Sequence, residues 1–155
     1  MNPLLRELAD YLLGHKASET VNAASLGARL LPYVFILDIE EDSEAGVRLR
    51  IRLIGSAIDR IFRRPLKGRT LEEFIHGSRG EDVIATFHRC ALTREPLWMR
   101  QVVRIPKRVP RYVEGVAVYL EPRRLYGGLA MGDVADEFAQ SSFESAAITR
   151  ERLLA

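Results

Sequence analysis

The chain has 155 residues, 47% of them hydrophobic and 28% charged, which suits one globular domain with a single core and excludes a disordered or fibrous chain. Its 23 basic and 21 acidic residues leave a net charge of only +2, no electrostatic case for a dedicated nucleic-acid binder. The single cysteine, Cys90, excludes an internal disulfide, and no apolar run is long enough to span a bilayer.

The N-terminus shows neither an apolar signal core nor a small-residue cleavage site, so the protein is expected to be soluble and cytoplasmic. Asn2 can cap a helix, Pro3 fits its first position and Gly14 can end it. Leu4, Leu5, Leu8, Leu12 and Leu13 recur at helical spacing, giving that helix an apolar stripe to bury. His15 to Ser25 is a polar connector, and Leu26 to Leu31 can add one turn before Pro32.

Val34 to Ile39 is a β-rich apolar run that ends in acidic turn residues. Arg48 to Ile54 alternates strictly, with Leu49, Ile51 and Leu53 on one side and Arg48, Arg50 and Arg52 on the other, the period of a half-buried strand. Gly55 stops it. Ser56 to Ile75 is a crossover of short helices punctuated by Pro65, Gly68 and Thr70. Glu81 to Glu95 is the longest central helix, with Val83, Ile84, Phe87 and Ala91 on its apolar face and Pro96 at its end. Leu97 to Ile105, Tyr112 to Leu120 and Tyr126 to Val134 read as three further strands, and Gly127-Gly128 as a turn or bulge. Phe138 to Leu154 reads as a C-terminal helix or partly ordered tail.

This order makes an α+β chain with one antiparallel sheet. The hairpin followed by Ile54-Gly55-Ser56-Ala57-Ile58, Phe62, Leu66-Lys67-Gly68-Arg69-Thr70 and Phe74 resembles the start of PAS sensor domains. The Arg-rich strand and the preceding Leu-Leu-Pro resemble the PAS_5 subfamily of small alphaproteobacterial proteins. The resemblance implies a five-stranded sheet in the order 2-1-5-4-3, with short helices on one face and an extra N-terminal helix. It divides the chain into a helix and connector (1–30), a PAS domain (31–134) and a C-terminal helix or tail (135–155). It also implies a cytoplasmic sensory or regulatory module, without catalysis, that binds a small ligand or a protein partner; no output domain is expected after the last strand. Such a module reports through a signalling protein partner or through its own oligomer.

The ligand pocket implied by that fold is lined by Phe35, Leu37, Leu53, Ile58, Phe62, Phe74, Ile84, Phe87 and His88, with Arg100 and Arg104 placed to neutralise an anion. In haem-binding PAS domains the proximal histidine comes from the corresponding helix and a gas-contacting arginine from the next strand, so haem on His88 is the one cofactor the resemblance raises. Otherwise no cofactor is expected. Cys90 sits outside the motif of flavin light sensors, in His88-Arg89-Cys90-Ala91, and a small buried hydrophobe is its ordinary explanation. His15, His76 and His88 are too scattered for a metal site. No Gly-x-Ser-x-Gly setting, phosphate loop or dinucleotide fingerprint points to an enzyme.

The leucine stripe Leu4, Leu5, Leu8 and Leu12, lying before an open sheet face, is the expected interface of a homodimer. Two alternatives stand beside the sensory reading. Arg60, Arg63, Arg64, Lys67 and Arg69, or Arg104, Lys107, Arg108 and Arg111, could bind nucleic acid or a nucleotide. A small α+β enzyme of a cone-shaped fold would hold His88 and a carboxylate in a polar cavity.

Overall fold

The computed structural model describes residues 1–44, 46–62, 65–75, 78–103, 111–133, 143–149 and 153. Arg63, Arg64, His76, Arg104, Lys107 and Arg108 lie outside them, as does the Phe74 side chain.

The N-terminal helix α1 spans Pro3–Leu13, with the Asn2 side chain accepting from Leu4 N and Gly14 closing the last turn. After a 3₁₀ turn at Ser18–Thr20, α2 covers Ala23–Leu30 and is broken at Gly27. A second 3₁₀ turn at Leu31–Tyr33 leads into the hairpin of β1 (Val34–Asp42) and β2 (Gly46–Ile54). Its turn is drawn tight by Glu44 N donating to Asp42 Oδ1 at 2.8 Å, and Gly46 adopts φ +80°, the left-handed region that glycine enters without a Cβ clash. The crossover is α3 (Ser56–Phe62), α4 (Leu71–Phe74) and α5 (Ser78–Thr93). The remaining strands are β3 (Leu97–Val103), β4 (Arg111–Leu120), β5 (Arg124–Asp133) and β6 (Phe143–Ala147).

All six strands form one antiparallel sheet in the order β2-β1-β5-β4-β3-β6. The first five follow the anticipated order. The sixth is a correction, because Phe143–Ala147 is a strand where a helix or tail was expected. It pairs with β3 from Gln101↔Phe143 to Leu97↔Ala147, so the free edge of β3 imposes the extended conformation.

Burial divides into two apolar clusters, one per sheet face, rather than the single core expected. The first lies under α3–α5 and contains Phe35, Leu37, Leu49, Ile51, Ile58, Phe87, Leu97 and Leu125. The second lies on the opposite face, where Leu5, Leu8, Ala9 and Leu12 of α1 pack with Val34, Val116, Val118, Leu120, Tyr126 and Ala130. Ile148 and Leu153 close over the same face. Each fully buried leucine contributes about 1.5–3 kcal/mol.

The stripe expected to meet a second copy is therefore spent inside the chain: Leu5, Leu8 and Leu12 are at most 1% exposed, with Leu4 half-buried beside them. The sheet backbone is bare where α1 lands. A Cβ on Gly128 would stand 2.6 Å from Leu8 Cδ2, and one on Gly127 would stand 2.5 Å from Phe35 Cζ on the opposite face. The Gly127-Gly128 pair thus lies within β5, not at a turn, and lets both layers reach the sheet at one spot.

The candidate site between the helices and the edge of the sheet

The expected pocket lining is mostly packed core. Phe35, Leu37, Ile58 and Phe87 are buried, with Phe62 and Ile84 partly buried against them. The Phe35 and Phe87 rings meet edge to face at 5.5 Å and fill the space between α5 and the sheet. The cavity bounded by Thr86, Phe87, Leu97, Met99, Gly115, Val116 and Ala117 measures about 10 Å³, the space of a single water.

Leu53 is not part of this lining. Its strict alternation with Leu49 and Ile51 is broken by a bulge: Leu37 pairs with Ile51 but Ile36 pairs with Leu53. Two residues of β2 thus oppose one of β1 at this point, which turns Leu53 to the α1 face and brings Ile54 against the α3–α5 core.

Arg100 is also corrected to the other face. Leu97 and Met99 supply the helix-side core, so alternation sends Trp98 and Arg100 to the α1 side. There Arg100 binds Glu144 of β6 at 2.7 Å and lies 5.6 Å from the Trp98 ring. His88 and Arg100 lie on opposite faces of the sheet and do not meet, while Arg104 lies outside the described residues.

His88 instead joins a polar cluster at the β2 edge. Its Nε2–H donates to Glu72 Oε1 at 2.7 Å, linking α5 to α4. The two oxygens of Glu72 also accept the outward backbone N–H of Leu49, at 3.1 and 3.3 Å. Burial alone would raise the Glu72 carboxyl. The hydrogen bond from His88, assisted by the backbone amides of Glu72 itself and of Leu49, outweighs it and holds the carboxyl below its ordinary value. Further along the same edge Ile51 N donates to Arg69 O and Gly68 N to Ile51 O, both at 2.8 Å. Glu72 and the 66–70 turn therefore cover the outward backbone groups of β2, which would otherwise template strand pairing.

A carboxylate holding an imidazole is a general-base layout, but it needs a nucleophile within reach. Cys90, two positions along, is fully buried; its Sγ contacts the Ala117 carbonyl at 3.5 Å, and burial pushes its thiol up to about 12. No group of three or more potential metal ligands occurs among the described residues.

The arginines of β2 pair with the acids of β1. Arg48 meets Asp42 at 2.7 Å, Arg50 meets Glu40 at 2.5 Å and Arg52 meets Asp38 at 3.3 Å. From the other flank Arg124 of β5 reaches Asp38 at 3.0 Å, and Arg123 reaches Glu41 at 3.3 Å. The acidic residues placed in the turn by sequence thus run along β1 and neutralise the basic stripe.

Besides Glu72, a second polar residue lies outside what the sequence pattern points to. Glu114 of β4 is 2% exposed and accepts the backbone N–H of Asn2, tying the start of α1 to the sheet. A lone carboxylate in the run Tyr112-Val113-Glu114-Gly115-Val116 was the available signal.

These features define the class of molecule: an α+β protein built on one six-stranded antiparallel sheet with an apolar layer on each face. No helix among the described residues is long and apolar enough to cross a membrane. Comparisons with protein-family models, curated proteins and solved structures found no match.

Proposed function

We propose that the chain is a PAS-like regulatory module that acts through protein contacts rather than by catalysis or by a cofactor held in its core. The observation that carries this reading is the strand order β2-β1-β5-β4-β3 with the α3–α5 crossover connecting β2 to β3 over one face. That arrangement agrees with the plan the PAS resemblance implies. The choice of protein contact over a small ligand rests on the packed helix–sheet interface, where Phe35 and Phe87 occupy the space a ligand would take.

Native mass spectrometry of the freshly purified full chain tests the reading. The expected spectrum contains the polypeptide mass and its multiples alone. A stoichiometric small-molecule adduct that also raises the melting temperature would replace protein contact with ligand sensing.

A further inference from the structure

The two edges of the sheet are finished differently. The β2 edge is covered by Glu72 and the 66–70 turn. At the opposite edge lies β6, and among the described residues no backbone group pairs with its outer side. The segment Phe143-Glu144-Ser145-Ala146-Ala147 has no proline and no lysine, the residues that commonly block an edge.

We propose that β6 pairs antiparallel with β6 of a second copy around a two-fold axis at Ser145, joining two six-stranded sheets into one. Ser145 is the middle of the strand, so an axis there pairs all five residues, and charge disfavours the neighbouring axis. An axis at Glu144 would set two carboxylates opposite each other, a destabilising pair. An axis at Ser145 sets Glu144 against Ala146 of the second copy, while Arg100 of its own sheet, at 2.7 Å, neutralises the carboxylate. On the helix-side face the same axis lays Phe143 beside the small Ala147 of the second copy, a large-against-small cross-strand fit. Five residues of strand give less area than a standard interface, so the dimer is a weak one, with a dissociation constant in the micromolar range. It uses none of the buried leucines of α1, and it does not depend on the regulatory reading.

Sedimentation equilibrium of the full chain is expected to show a monomer–dimer equilibrium across micromolar concentrations. Ser145→Lys places two ammonium groups at the axis and is expected to raise the dissociation constant about tenfold or more. Ser145 is exposed, so the melting temperature should hold. Ser145→Cys treated with a short bismaleimide should yield covalent dimer, because Cys90 is buried and does not compete. Glu41→Cys, whose site is exposed on β1 at the far side of the sheet, is the control and should remain monomeric. A chain that stays monomeric at high micromolar concentration overturns the proposal. So does a dimer that Ser145→Lys leaves intact, or cross-linking of Ser145→Cys no better than that of Glu41→Cys.

Discussion

His88 and Glu72, sixteen residues apart in sequence, are joined by a 2.7 Å hydrogen bond, and the carboxylate simultaneously holds the Leu49 amide of β2. One side chain thereby fastens α4, α5 and the sheet edge together. Glu72→Gln should lower stability at neutral pH by about 1–2 kcal/mol, the low end for charged hydrogen bonds because the pair is partly open to water. The Glu72 carboxyl is held below its unfolded value of about 4.5, so its contribution is complete above that pH and drains away as the pH falls through the lower folded value. Melting curves of the two proteins should accordingly converge in acid. A gap that stays the same as the pH falls would show that charge plays no part.

Leu8 is 1% exposed between α1 and the sheet. Leu8→Ala is expected to cost about 2–5 kcal/mol by urea denaturation. Leu13, on the same helix but 38% exposed, should change stability by no more than about 0.5 kcal/mol when replaced by Ala. Equal costs would mean that α1 does not dock through the Leu5, Leu8 and Leu12 face.

Gly128→Ala tests the same contact from the sheet side. The new methyl would stand 2.6 Å from Leu8 Cδ2 and 2.9 Å from the Tyr33 carbonyl, so α1 must shift or the sheet must give. Overpacking of this kind costs about 1–3 kcal/mol. Amide exchange in residues 3–13 should rise with it. An unchanged exchange pattern would contradict the close approach.

The Cys90 thiol is sealed under α5 and its pKa is pushed up to about 12 by burial. In the native protein it should resist a colorimetric disulfide reagent at mildly alkaline pH and react fully once denaturant is added. Rapid labelling of the folded protein would place the thiol at the surface.

Local patterning carried the sequence reading far along the helix α1, the β1–β2 hairpin and the α5 face, because caps, turns and apolar periods are written in neighbouring residues. It failed where a distant partner decides. Nothing in Leu49, Ile51 and Leu53 announces that Ile36 will face Leu53 and break the alternation. The stripe of α1 was legible, but its destination, the bare backbone at Gly128, lies over a hundred residues away. Phe143–Ala147 has no strong strand composition of its own and is extended because β3 offers it an edge. The same limit applies to the site: His88 was singled out, whereas Glu72 was not, since only the crossover brings them together.

The long reach of α1 bears on how the chain is made. Its residues leave the ribosome well before the strands they cover, β4 and β5. A helix of 11 residues is marginal by itself in water. Throughout elongation its leucines stay without their docking surface, and they are free to meet chaperones or other nascent chains. Docking of α1 must wait for the Gly128 region to emerge, so this helix settles long after it is translated.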